Sequence, residues 1–431
     1  MVCRRGLSLA ILGVFLVAPV LGAAADPTSA LQAAEPAPAL ELPVLVQQAL
    51  ERNPELQAAR RAVEAKRAHV PQARAWSDPT LSVSYGGNLL PPFTLMNGDP
   101  SSARQFMVEQ EIPYPGKTRL RGEIAAREAD AETLNYEAVW RRIEAEVKQA
   151  YFDLYFTDQS LSTLRQDREL LQKFAKVAEI RYSVGKAAQQ DILRAQVELS
   201  RLAERQTLLD ETRQTLVAQL DSLRDLPADA PVGSPVGIRP SALPLSFDDL
   251  VAAAQTNFPV LKRQRARVEG NRFAVELARK DLRPNFSLGF TYMQRAGMPD
   301  MYGISFSTSL PVFHRSKQNQ AIAEAAANLE SSRRTEANEF ALLRYRVKQE
   351  YAQAQAAEQL LKLYAQGIVP QSTLALESSL ASYETGATDF LTVLSNFITV
   401  LDYELNYHGQ LAAHEKALAR LEELTGLNLI Q

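Results

Sequence analysis

The sequence predicts a mostly α-helical chain, built twice over from one unit of helix, β-hairpin, long helix and helix, with a small β portion of the kind that enters a membrane. Three observations predict it. In the stretch from Pro284 to Pro311, Phe286, Leu288, Phe290 and Tyr292 alternate with Ser287, Gly289 and Thr291, and Ile304, Phe306 and Leu310 alternate with Ser305, Ser307 and Ser309. That is the period of strands with one apolar and one small polar face, joined by a turn in QRAGMPD. A strand between lipid and a wet pore needs those two faces. Second, at a constant offset of 205 residues Leu45 matches Leu250, Pro54 matches Pro259, Leu56 matches Leu261, Val63 matches Val268 and Pro79 matches Pro284, so the chain is a duplication. Third, no Gly or Pro stands between Glu123 and Val184, and Ile143, Val147, Ala150, Leu154, Leu161, Leu164, Leu171, Ala175 and Ala178 follow spacings of three and four with two seam positions skipped. That is a coiled-coil seam on a helix roughly 90 Å long, at about 1.5 Å per residue.

In chain order, Arg4 and Arg5 precede an apolar run from Leu7 to Leu21 and a small-residue site at Ala23 to Ala25, which predicts a secretory signal peptide over 1–25. Residues 26–41, rich in Ala and Pro, read as an extended leader. The first repeat is expected over 42–224, with strands at about 79–87 and 104–113. Its long helix ends in a hairpin tip at about 183–191, where Gly185 stops one helix and Asp191 is expected to cap the next. Residues 225–246 carry Pro227, Pro231, Pro235, Pro240 and Pro244 and form an extended connector. The second repeat is expected over 247–426, with strands at about 284–293 and 301–311 and a tip at about 384–389. Gly367 and Pro370 interrupt its long helix, where a kink is expected. Residues 427–431 form the tail.

Composition narrows the function. Without Arg4 and Arg5 the chain keeps 45 basic against 50 acidic residues, which argues against nucleic acid as a partner. The sole cysteine, Cys3, lies in the signal segment, so no disulfide or thiol site is expected. No run after residue 25 is apolar enough for a membrane helix, so any membrane entry is by strands. Gly116-Lys117-Thr118 is like the end of a phosphate-binding loop, but Glu111 stands where that motif needs glycine, and it reads as a turn. His69, His314, His408 and His414 are scattered. No catalytic residue, cofactor or metal site is expected, and the chain does not read as an enzyme.

The order of elements, given twice behind a signal peptide, resembles the TolC family of outer-membrane efflux channels. The residues that carry the resemblance are EIPYPGK (Glu111 to Lys117), SLPVFHR (Ser309 to Arg315), the tip RYSVGKAAQQDILRAQ (Arg181 to Gln196) and the tip SYETGATDFLTVL (Ser382 to Leu394). The resemblance implies a homotrimer in the outer membrane of a Gram-negative-type bacterium, with a twelve-stranded barrel continued by an α-helical tube across the periplasm. It also implies a periplasmic adaptor protein and an inner-membrane pump of the RND type as partners. Phe286, Leu288, Phe290, Ile304 and Phe306 would face lipid. Tyr182, Val184, Gly185, Asp191, Tyr383, Gly386, Thr388 and Asp389 would form the periplasmic tip and dock the adaptor. Thr388, Thr392 and Ser395 stand where the family's best-known type has an arginine and two aspartates, so that acidic ring and its lock are not carried over.

The PYPGK and MPDMYG segments are most similar to those of heavy-metal efflux systems of the cobalt-zinc-cadmium and copper types, which points to metal cations as cargo. Every methionine after Met1 (Met96, Met107, Met293, Met298 and Met301) falls in the two strand hairpins. Thioethers bind soft metals, but the expectation here is that they fill loop and lipid-facing positions. A type I secretion exit for polypeptides and a soluble periplasmic coiled-coil adaptor are the alternative readings.

Overall fold

The computed structural model describes residues 40–87, 94–228 and 230–430; the expected signal peptide at 1–25 and residues 26–39 of the expected leader lie outside the described residues. Each half opens with two short helices that meet at a corner. In the first, α1 (Leu42–Arg52) and α2 (Pro54–Arg74) meet at Asn53, whose side-chain oxygen accepts from the backbone N–H of Glu55 and Leu56 at 3.0 and 3.2 Å. Pro54 suits the first turn of α2 because an N–H there would have no intrahelical acceptor. The sheet strands β1 (Thr80–Gly86) and β2 (Ala103–Ile112) follow, and then α3 (Lys117–Ser183) and α4 (Gln189–Leu223). The second half repeats the order with α5 (Phe247–Asn257), α6 (Pro259–Lys280), β3 (Phe286–Arg295), β4 (Met301–Thr308), α7 (Gln318–Leu363), α8 (Val369–Thr385) and α9 (Phe390–Thr425).

Both halves close with the same bond. The last carbonyls of a helix have no partner within it. The Asn53 amide donates to the carbonyl of Leu223, the last residue of α4, at 3.0 Å, and the Asn257 amide donates to that of Thr425, the last residue of α9, also at 3.0 Å. The corner of each repeat thus satisfies the end of its closing helix.

α3 is one continuous helix of 67 residues. It begins before the Gly- and Pro-free run and passes through Gly122, against which the Arg74 side chain of α2 lies: a Cβ there would displace that side chain. The seam residues Ile143, Val147, Ala150, Leu154, Leu161, Leu164, Leu171 and Ala178 are buried. They serve two cores. Toward the sheet, Ile143 to Leu154 pack with Leu45, Ala49 and Leu56 of the corner and with Leu220 of α4. Toward the tips, Leu164, Leu171 and Ala178 pack with Ala195 and Leu202 of α4, Leu376 and Tyr383 of α8, and Phe390, Phe397 and Leu401 of α9. The tip-proximal parts of the four long helices therefore share one apolar interior.

The expected kink takes a specific form. Between α7 and α8 the helix widens into a π-helical turn over Tyr364–Ile368, and the N–H of Val369 reaches the carbonyl of Tyr364. Pro370, second in α8, has no N–H to give the preceding turn, and the wider turn accommodates that loss without ending the helix.

Two buried polar nodes lie in the fold, one between the repeats and one between the second repeat and the connector. Lys117, first in α3 and nearly inaccessible, sends its ammonium group to the Arg283 carbonyl at 2.8 Å, to Asn285 Oδ1 at 2.9 Å and to Asp281 at 3.2 Å, all from the segment before β3. The GKT sequence is thus a clasp between the two halves where the sheet meets the helices. The second node is on α9. His414 and Glu415 are fully buried, the two ring nitrogens of His414 lie 3.0 Å from the Ala354 carbonyl oxygen and 2.8 Å from that of Ser241, and Glu415 accepts from the Ser241 N–H at 2.7 Å and its hydroxyl at 3.0 Å. Ser241 belongs to the proline-rich connector, which also pairs with Leu40 in a parallel bridge at Pro235. Burial pushes the Glu415 carboxyl up in pKa, against the Ser241 donors and His414, which pull it down. Replacing Glu415 with Ala removes the carboxylate that both Ser241 donors reach, at a cost of about 1–3 kcal/mol. A lowered midpoint in thermal denaturation is the expected result, with Glu415→Gln losing less than Glu415→Ala.

Candidate functional site

The four strands form one antiparallel sheet in the order β1-β2-β3-β4, so the two hairpins join through β2 and β3 across the duplication. Opposed residues in antiparallel strands point to the same side. One row across the sheet reads Leu81, Val108, Phe290, Ile304; the next in register on the same side reads Val83, Phe106, Tyr292, Tyr302. On the other side the rows read Thr80, Glu109, Gly289, Ser305 and Ser82, Met107, Thr291, Gly303. The sheet thus has one face whose middle rows are apolar, with Gln110 beside Leu288 and with Arg104 and Gln294 beyond Tyr292, and one face of small and polar residues that also carries Met107, Met293 and Met301. The apolar face is uncovered: Leu288 and Phe290 are about half exposed, Phe306 is 66% and Ile304 is 82% exposed, while Phe286, stacked on Phe306 at 5.7 Å, is partly covered. β4 is shorter than the sequence suggested, since pairing ends at Thr308 and Leu310 stands beyond it, exposed.

The two tips lie side by side. At each, a glycine with positive φ (72° at Gly185, 83° at Gly386) ends the helix. The N–H of Gly185 reaches the Tyr182 carbonyl and that of Lys186 the Arg181 carbonyl; Gly386 and Ala387 make the same two bonds to Tyr383 and Ser382. These bonds need the left-handed backbone that glycine adopts without cost. At Gly185 nothing crowds the missing side chain, so conformation and not space demands the residue.

The structure separates the expected tip residues into two groups. Tyr182, Val184, Gly185, Gly386 and Asp389 are exposed, and Asp191 and Thr388 are partly so. Tyr383, expected among the docking residues, is only 6% exposed: its ring packs on Phe390 at 5.8 Å and under the Arg181 guanidinium at 4.4 Å, and Arg181 also donates to the Tyr383 carbonyl. Its place is therefore within the joint between the tips. Burial raises the pKa of the Tyr383 hydroxyl, with Arg181 lowering it and Asp191 raising it. Arg181 is the residue that sequence reading passed over; its position opposite the second tip depends on how the two hairpins pack, which no local pattern records.

Asp191 does not cap α4. The helix starts earlier, at Gln189, with Ala188 at the cap position and no side-chain capping bond, which leaves Asp191 in the first turn as a charge at the positive end of the helix. In the second tip Asp389 does cap α9, accepting from the Thr392 N–H at 2.8 Å and from its hydroxyl at 2.6 Å; these two bonds lower its pKa. The first tip is the weaker copy because alanine stands where the second has that aspartate.

Further up the helices, Asp167 of α3 is half-buried near Glu404 and its Oδ2 has no hydrogen-bond partner. Burial, and then the Glu404 charge, push its pKa up to about 7. Burial also raises Glu404 and lowers His408, whose Nδ1 likewise has no partner. Among the described residues no group of histidine, cysteine and carboxylate side chains could hold a metal ion, and no helix is long and apolar enough to cross a membrane.

A sheet with apolar rows on one face and polar ones on the other, carried on helices far longer than a globular domain needs, defines a membrane-channel chain with a helical extension. The pattern of the outer membrane efflux protein family matches residues 45–224 and 250–427, and the chain belongs to that family. Among its relatives, the cobalt-zinc-cadmium resistance protein CzcC of Cupriavidus metallidurans is 24% identical over 385 residues, 87% of each chain. The fold is that of several solved channels. The outer-membrane channel OprN superposes with a TM-score of 0.77 at 17% identity, covering 90% of each chain. VceC of Vibrio cholerae gives 0.77 at 17% identity over 90% of this chain and 96% of its own, and CusC gives 0.77 at 16% over 91% and 93%.

Two outcomes follow from the tip and from Asp167. Ala188→Asp supplies the missing cap and should stabilise the first tip by about 1 kcal/mol, visible as slower amide exchange in the first turn of α4. For Asp167, the folded chain holds a proton that the unfolded chain releases between its ordinary pKa of 3.8 and about 7, so folded stability falls as pH rises through that window. Asp167→Asn should therefore match the parent's thermal midpoint near pH 4 and exceed it by a margin that grows up to about pH 7.

Proposed function

We propose that the protein is the exit duct of a tripartite efflux system. Three copies close their sheets edge to edge into a twelve-stranded barrel, with the face of Phe286, Leu288, Phe290, Ile304 and Phe306 in the outer membrane. The opposite face, of Ser, Thr and Gly with Gln105, Glu109 and Glu111, lines a wet lumen, and the long helices continue that lumen through the periplasm. The observation that carries the reading is the sheet itself, which has apolar rows that run across all four strands while β1 and β4, among the described residues, each keep an unpaired edge. Buried backbone groups in hydrocarbon need partners, and closure on further copies supplies them. The work is conduction and not catalysis.

The exposed tip residues Tyr182, Val184, Gly185, Gly386 and Asp389, with Asp191 and Thr388 beside them, are the docking surface for a periplasmic adaptor that connects to an inner-membrane pump. Tyr383 supports that surface from within. Heavy-metal cations are the proposed cargo, on the strength of the relative CzcC, whose name assigns it to cobalt, zinc and cadmium resistance.

Placing a carboxylate on the apolar face tests the membrane assignment. Leu288→Glu combined with Phe306→Glu should remove the protein from the outer-membrane fraction, because each charge costs roughly 2–4 kcal/mol or less in lipid according to depth. Ser287→Glu, on the opposite face, should leave assembly intact. Equal yields of both variants in the membrane would contradict the reading.

A further inference from the structure

The Lys117 clasp has a counterpart that a single chain leaves unmade. In the first repeat the segment after β2 lies between two strand entries. It is tied to its own, the Gln110 side chain donating to the Ser77 carbonyl at 2.9 Å. It is tied also to that of the other repeat, where Lys117 meets Asp281, Arg283 and Asn285 and the Tyr114 N–H meets Asn285 Oδ1 at 3.2 Å. In the second repeat the segment after β4 is tied to its own entry, the Thr308 hydroxyl donating to the Asn285 carbonyl at 2.9 Å. There the sheet ends, and among the described residues no further entry stands beside it. Pro113 and Pro311 follow the two return strands in matching places, which sets Lys117 against Arg315 and Tyr114 against Val312. Lys117 is buried and opens its helix, whereas Arg315 is exposed and α7 starts only at Gln318. At the opposite edge of the sheet, the 205-residue offset sets Asp78 against Arg283 and Trp76 against Asp281. Asp78 is exposed, and Trp76, Val312 and Phe313 are each more than half exposed. Among the described residues the side chains of Arg315 and Asp78 have no hydrogen-bond or ion-pair partner.

We infer that segment 310–315 of one copy docks on the strand entry 76–80 of a second copy, with Arg315 on Asp78 and with Val312 and Phe313 against Trp76. The inference rests on the closure of sheets between copies stated above, and names the surface that joins them where the sheet meets the helices. Strand direction brings the two parts together. β1 runs away from the helices and β4 returns to them, so pairing β4 with β1 of the next copy sets the residues before β1 beside those after β4. The duplication supplies the template, because the joint repeats between copies what the Lys117 clasp does within one. The Asp78 carbonyl is the counterpart of the Arg283 carbonyl that Lys117 uses, and the Asp78 carboxylate adds a charged acceptor. Arginine in place of lysine suits that pair, since its planar fork matches a carboxylate. A lipid surface also accepts exposed apolar and basic residues, but it does not call for an unpaired acid and an exposed tryptophan at the opposite edge of the sheet.

The test uses the full chain extracted from membranes in mild detergent, carrying Cys3→Ser so that introduced cysteines are its sole thiols. Within one copy, residues 76 and 313 stand at opposite edges of the sheet, about 14 Å apart across three strand spacings. A disulfide needs Cα atoms within about 7 Å. Trp76→Cys combined with Phe313→Cys should therefore yield covalent dimers and trimers on oxidation, and neither single variant should. Arg315→Asp should raise the protein concentration at which the assembly half dissociates by about tenfold or more, and adding Asp78→Arg should restore most of the loss. An assembled parent whose paired cysteines do not cross-link, or an exchanged pair that restores nothing, would overturn the joint and leave the channel reading standing. Loss of membrane binding by Arg315→Asp that Asp78→Arg does not repair would give the segment to lipid instead. A parent that is monomeric in detergent would end the closure of sheets, and this joint with it.

Discussion

The two unpaired edges of the sheet are the constraint on which the rest depends. In water an open edge is solvated. In hydrocarbon each unpaired N–H or C=O costs several kcal/mol, so a four-stranded sheet with one lipid-facing surface is unfinished by itself. Everything that sets the register of those strands therefore governs assembly. The β2–β3 pairing fuses the two halves of the duplication into one sheet, and residues 286 to 295 align against 103 to 112 without a bulge. Lys117 then fastens the start of α3 to the segment entering β3. The sheet and the helical portion are joined there by a buried ammonium group, whose three oxygen partners replace the water it gave up.

The same economy runs through the helices. A helix the length of α3 is not stabilised by its own propensity, and its buried seam needs neighbours along the whole way. The chain supplies them as two cores, one near the corner helices and one near the tips, each mixing both repeats. Where the seam admits polar groups the consequences differ. His414 and Glu415 find partners in the connector, and the node is closed. Asp167 and His408 keep an atom without a partner, so charge at that level of the helices is costly and proton occupancy matters.

Periodic features were legible in the sequence. Alternation exposed the two faces at Phe286 to Tyr292, the constant offset exposed the duplication, and the seam from Ile143 to Ala178 exposed α3. What escaped was fixed by tertiary approach. Gly122 counts as a breaker in any local reading, yet it is a helical residue that admits Arg74. Arg181 looks like an ordinary charge at a helix end until α8 brings Tyr383 beneath it. Asp191 was a sound capping residue one turn too late, since its helix began at Gln189. Met107, Met293 and Met301, expected in loops and against lipid, stand on the face opposite Phe290 and Ile304; the period of two that separates Phe290 from Thr291 already assigned Met293 to that face, so this was a missed reading and not a hidden one.

The central claim is that copies of this chain complete one another's sheet, and the most direct measurement is the mass of the protein extracted from outer membranes in mild detergent, corrected for bound detergent. The account predicts a trimer, with no monomer in the soluble periplasmic fraction. A soluble monomer with its apolar strand face intact would contradict it, and that face would then have to be a docking surface for another protein.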